Sequence, residues 1–211
     1  PAGTYKATAT LTLNGSNSIE GEGKTSIINF TASNGLTLTS GLEYTLVRNV
    51  SLIGNGNYKG YVATTPNRRN VVESCFFSGW DDTAIHTTNG FGFSVNNCNI
   101  EGCKHGIYVT TNSVTLSNNI VRLNDGHGLH LDGVTGCSVE GGAYENPDVP
   151  ITLQYGMFLD ACRSVALNGV YVENNKTHNI YVKDSFSIIL SGCVSDNITS
   201  SGTQVQFENT E

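Results

Sequence analysis

All five histidines of this 211-residue chain fall in two positional series. His105, His127 and His178 share one series with Thr83, Tyr155 and Thr203. His86 and His130 share the other with Tyr108, Phe158, Tyr181 and Gln206, three positions later on each round. If one round is one coil of a solenoid, side chains on successive coils stand ~4.8 Å apart. The two series then make a continuous strip of imidazole and aromatic rings, a surface suited to the faces and hydroxyls of a sugar chain. A plainer reading is that like residues stack because stacking is favourable, and the rings are core or a packing face. Alternation favours the first reading: the His86 series lies between two apolar series and so points outward, where contiguous rings mark an interaction surface.

Carboxylates adjoin the strip. Asp81 and Asp82 lie on one coil and Asp125 two coils on, while Asp132 and Asp160 align on successive coils with Lys183 beyond them. Hydrolysis of a glycosidic bond needs two carboxyl groups ~5–5.5 Å apart for retention or ~6.5–9.5 Å apart for inversion. Two coils give ~9.6 Å, so Asp81 and Asp125 fit the long end of inversion. Asp132 and Asp160, one coil apart, fit the short geometry, and each raises the other's pKa unless Lys183 offsets the repulsion. Spacing alone leaves both pairs open, and a single Asp at a solenoid turn is commonly structural. Elimination would need a base beside a uronate carboxylate and a cation to hold it, for which His105, Tyr108 and Lys104 are the available groups. The acids are too sparse to imply calcium, and no metal or cofactor is expected.

The elements that must carry these residues follow from the apolar pattern. Ile85/Thr87, Ile107/Val109, Leu129/Leu131, Met157/Leu159, Ile180/Val182 and Val205/Phe207 recur at intervals of 22, 22, 28, 23 and 25 residues. Each is an apolar-polar-apolar triplet, the mark of a short strand buried on one face. A second series aligns Val72, Val95, Leu116, Val139, Leu167 and Leu190. Strands recurring about every 22 residues, with no helical segment between, predict an all-β parallel β-helix with at least two strands per rung. The Gly or Ala after each His or Thr is expected to bend the chain and keep the His105 series outside. Asn146, Asn174 and Asn197 align as a prospective ladder of side-chain bonds between coils. Residues 145–154, with two prolines, read as an inserted loop beside the strip.

A single domain over 1–211 is expected, with 1–30 as an entry and capping segment and 31–211 as rungs. Open solenoid ends need caps or partners, and a longer parent chain is one of the expectations. The 24 glycines and many asparagines favour strands and left-handed turns over helices. A formal charge of −7 without a basic cluster excludes a nucleic-acid partner and suits a neutral or cationic one. No apolar run approaches the ~20 residues of a membrane helix, so no membrane partner is expected. Of six cysteines, Cys75, Cys98 and Cys193 share one series where a buried apolar residue belongs, which predicts free thiols, although a Cys75–Cys98 bridge fits the strand spacing.

The "GTY" opening and the segment Ile19–Ile27 resemble the pectate-lyase-like right-handed parallel β-helix superfamily, of which phage tailspike proteins are a large branch. "DDTAI" at 81–85 and "GHGLHL" at 126–131 are similar to the Asp-Asp and Gly-His-Gly motifs of polygalacturonase-type hydrolases of that fold. The resemblance implies that Asp81 and Asp82 serve acid catalysis and water activation with His127 in support. The chain departs from that pattern where "CKHGIYV" intervenes and makes His105 the rung neighbour of Asp82, and Ile85 falls one residue late. It also has "NGNYKG" on the preceding coil in place of Asn-Thr-Asp, and no Arg-x-Lys pair. The resulting expectation is a tailspike-like depolymerase that hydrolyses a bacterial surface polysaccharide. His86, Tyr108, His130, Asp132, Phe158, Asp160, Tyr181 and Lys104 would bind the substrate. The alternatives are a non-catalytic receptor-binding or structural module of a phage tail, and a polysaccharide lyase. The tailspike resemblance further implies a homotrimer, extracellular or on the virion.

Overall fold

A computed structural model describes residues 1–14, 17–39, 44–66, 68–146, 154–196 and 203–210. Among them every regular element is a β-strand, and all strand pairs are parallel. The strands stack into three sheets of nine, nine and eight, so the chain climbs a β-solenoid of about eight turns. The second sheet runs Leu11–Leu13, Leu36–Leu38, Tyr61–Ala63, Thr83–Thr87, His105–Val109, Leu129–Asp132, Tyr155–Asp160, His178–Lys183 and Thr203–Glu208. It carries the ring strip on its outer face.

Both apolar series pair in the expected register. Ile85 stands beside Ile107, then Leu129, Met157, Ile180 and Val205, and Val72 beside Val95, Leu116, Val139, Leu167 and Leu190. The sheet absent from the sequence reading contains Phe76–Trp80, Asn99–Glu101, Ile120–Arg122, Ala143–Glu145, Tyr171–Glu173 and Val194–Asp196. From Asn99 on, each of its strands has three residues, and through Glu173 only the middle one points inward, namely Ile100, Val121, Tyr144 and Val172. One inward residue leaves no alternation to detect.

Tight turns separate the sheets. Before the strands of this sheet, Ser74, Asn97 and Asn118 sit at φ 52–54°, and Gly141, Gly169 and Gly192 take the same place on later coils at φ 60–61°. The Asn ladder differs from expectation. Asn124 N–H donates to Asn146 Oδ1 (2.7 Å) and Asn146 Nδ2 to Asn175 Oδ1 (3.1 Å). Asn174 does follow Asn146 in register, but it adopts φ 55° to make the turn, and Asn175 provides the inward amide. Asn197 and residues 147–153 of the expected insertion lie outside the described residues.

The interior is one continuous apolar column. Trp80 is its largest side chain, fully buried, with Nε1 donating to Leu52 O at 3.2 Å. A Cβ at Gly54 would stand 2.5 Å from the Trp80 ring, so this indole occupies the space that a side chain there would take. All six thiols are free, five of them buried, and no Cys75–Cys98 bridge is formed. No helix among the described residues is long and apolar enough to cross a membrane.

Candidate functional site

Ala84, Gly106, Gly128 and Gly156 are buried together with the apolar residue that follows each. Two consecutive inward residues break the period of two there, and the chain bends. Small residues are required at this bend because the next coil's carbonyl lies against it. A Cβ at Gly106 would meet Gly128 O at 2.4 Å, and one at Gly128 would meet Gly156 O at 2.7 Å. The bend brings both ring series to the outer side, where every ring is half-buried by its neighbours.

Along the first series, His105–His127, His127–Tyr155 and Tyr155–His178 have centroid separations of 5.3, 4.9 and 5.5 Å. Along the second, His86–Tyr108, Tyr108–His130, His130–Phe158 and Phe158–Tyr181 are 4.9, 5.0, 4.5 and 5.3 Å apart. Cross-contacts tie the two together at His127–His130 (5.4 Å), Tyr155–Phe158 (5.2 Å) and His178–Tyr181 (5.1 Å). At one end, where Thr83 supplies no ring, a pocket of about 290 Å³ opens between Thr83, His105, Tyr108, His127 and His130.

His105 Nδ1 accepts the His127 backbone N–H at 3.1 Å, which leaves the proton of the neutral ring on Nε2. Burial lowers the pKa of every ring of the pocket wall that titrates as a base. His127 falls to about 3, through burial and then the neighbouring His105 and His130. His86 falls to about 4, through burial and Lys59, opposed by Asp82. His105 is lowered by burial and Lys104, and His130 by burial against the opposing pull of Asp132 and Asp160. His127 Nδ1 and His130 Nε2 are enclosed without a hydrogen-bond partner, so a charged ring would have nothing to bond. The imidazoles of His86, His105, His127 and His130 are therefore neutral at pH 7.

The carboxylates divide into two kinds. Asp82 touches the strip: it accepts Thr83 Oγ1–H at 2.8 Å, pairs with Lys59 at 3.8 Å, and acts electrostatically on His86 and His105. Asp132 accepts the Tyr108 hydroxyl at 2.8 Å and stands in register with Asp160. Asp81 and Asp125 are exposed on the turn before the strip, two coils apart. Lys104 is exposed beside His105. Lys183 pairs in register with Asp160, yet its ammonium group lies 3.6 Å from Asp184.

Tyr108 is pushed up to about 12 by burial and by its bond to Asp132. It remains a phenol at neutral pH, which weighs against its use as the base of an elimination. Two functional neighbours escaped the sequence reading: Lys59 and Glu208. Glu208 accepts the Tyr181 hydroxyl at 2.5 Å, and its signal was present, since it follows Gln206 by two positions as Asp132 follows His130. Gly126 packs under the His105 imidazole, with a Cβ there 2.4 Å from Cε1 and Nδ1. Among the described residues, no group of three His, Cys, Asp or Glu is arranged to hold a metal ion.

Solved structures share this architecture. The enzymatically active domain of bacteriophage CBA120 tailspike protein 2 superposes with a TM-score of 0.78 at 14% identity, covering 98% of this chain and 37% of that one. Full-length tailspike protein 2 from an Escherichia coli O157:H7 bacteriophage gives 0.66 at 15% identity, over 98% and 33%. The catalytic domain of a GH87 α-1,3-glucanase gives 0.59 at 12% identity, over 100% and 53%. The chain thus spans about a third of the tailspike chains and half of the glucanase domain, and at such identities the likeness is one of fold. No curated protein sequence matches significantly. The family model described as "Right handed beta helix region" matches residues 6–142 and again 83–211. Coil by coil, from the first rung to the last, the chain belongs to the right-handed β-helix family.

Proposed function

We propose that this β-helix binds a polysaccharide along the ring strip and cleaves it by hydrolysis, as a tailspike-like depolymerase acting on a bacterial surface glycan. The observation that carries the reading is the outward, continuous double row of rings with a pocket at one end and carboxylates on its rim. The catalytic groups in this reading are Asp81, Asp82 and Asp125, with His105 and His127. A carboxyl group of the Asp81–Asp82 pair protonates the departing glycosidic oxygen. Asp125, two coils on at ~9.6 Å, takes a proton from the water that attacks the opposite face of the sugar. His105 and His127, neutral, hold the sugar hydroxyls by hydrogen bonds. Substrate contacts come from His86, Tyr108, His130, Asp132, Phe158, Asp160, Tyr181 and Lys104.

Replacing Asp82 or Asp125 with Asn is expected to lower cleavage at least ~10²-fold while binding persists. Mass spectrometry of products from a glycan screen should find saturated ends, whereas unsaturated ends would assign a lyase. Cleavage that survives both substitutions would remove these residues from the mechanism. A binding module without catalysis is the second reading, favoured by the partners that Asp82 and Asp132 already have within the chain. Light scattering tests the homotrimer that the tailspike resemblance implies, and a tail location on the virion belongs to the same proposal.

A further inference from the structure

The inner stretch of the strip carries more acid than base, with Asp132, Asp160 and Glu208 in one series against Lys183. We propose that its inner stretch, from Tyr108 to Tyr181, selects uncharged glycan segments and rejects anionic ones, with Asp132 and Asp160 as the residues that impose the selection. The inference rests on the polysaccharide reading given above.

Three carboxylates follow the second ring series at a constant offset of two residues. Asp132, Asp160 and Glu208 share one series with Lys183 between Asp160 and Glu208. Two of them are fixed against the rings, Asp132 by the Tyr108 hydroxyl and Glu208 by that of Tyr181. The basic groups near the strip are Lys59, Lys104 and Lys183. Lys59 is engaged by Asp82 and Lys183 by Asp184, and Lys59 and Lys104 act on His86 and His105 at the pocket end. Among the described residues no arginine stacks on a ring of the strip, and the imidazoles of His105, His127 and His130 are held neutral. A uronate, sialate or phosphodiester laid on Phe158 would therefore meet Asp132 and Asp160 on successive coils, with Lys183 one coil on already paired with Asp184 at 3.6 Å. Like-charge juxtaposition at an interface costs several kcal/mol. An uncharged pyranose offers hydroxyls to Asp132 and Asp160 as hydrogen-bond donors and an apolar face to the rings. The second ring row spans five coils, four spacings of ~4.8 Å or about 19 Å, enough for a segment of several sugars rather than one terminal residue.

The test is an array of defined bacterial O-antigens and capsular polysaccharides, sorted into those with uronate, sialate or phosphate groups and those without, and probed with the intact protein. Binding confined to the uncharged set supports the inference. Binding to acidic glycans overturns it and leaves the polysaccharide reading standing, whereas no binding to either set overturns that reading instead. The double variant Asp132→Asn/Asp160→Asn, checked for an unchanged melting temperature, should gain about tenfold or more in affinity for acidic glycans of otherwise similar backbone. A folded double variant that still refuses them would show that these two carboxylates are not the filter.

Discussion

His127 sits where the two ring rows touch, in contact with His105, His130, Tyr155 and Phe158. Its folded pKa of about 3 lies below the ordinary 6.5. The unfolded chain thus binds more protons between those values, and stability present above pH 6.5 is lost as pH falls toward 3. His86, held at about 4, adds to the same acid loss. Urea unfolding measured from pH 8 to pH 4 should show stability falling with pH, and His127→Gln should flatten the slope. Gly126→Ala is expected to displace the His105 ring, cost about 1–3 kcal/mol and weaken glycan binding, read by titration calorimetry. The positions of the rings were legible because one period carried all five histidines. Their outward direction depended on the inward glycines. The bonds of Asp82 to Lys59 and Thr83 could not be read, because the irregular rung at residues 44–63 hides the register that brings Lys59 alongside.

Apolar alternation revealed two of the three sheets, and the third escaped because strands with a single inward residue have no period. The turns between sheets follow a stricter rule than composition implies. Gly133 and Ala161 occupy equivalent turns on successive coils at φ 63° and 52°. A left-handed alanine costs about 1–2 kcal/mol, more than the entropy a glycine adds to the unfolded chain. Ala161→Gly should therefore raise the unfolding midpoint, by the equivalent of about 0.5 kcal/mol. Asn146→Ala removes the acceptor of the buried Asn124 N–H and should destabilise by about 1–3 kcal/mol, measured by chemical denaturation. The ladder was half legible: Asn146 was found, but sequence cannot tell which of Asn174 and Asn175 turns inward, since both carry the same amide.

Over the whole molecule, each coil touches only the coils before and after it, so stability is local and cumulative. The inward residues Val165 and Leu167 are buried, while Ile188 and Leu190 at the same places one coil later are half-exposed. Amide hydrogen exchange should accordingly be slowest between about residues 70 and 183 and fast in Phe186–Ser191 and Gly3–Ala7. Trp80, the one tryptophan, reports on the N-terminal half by fluorescence. The constant register of the ring rows also makes the strip a ruler. Duplicating or excising one 23-residue unit, such as 155–177, would lengthen or shorten the bound segment by one graduation. Lineages that must track a changing surface polymer could then adjust its reach by unequal recombination, leaving the chemistry at the pocket end untouched.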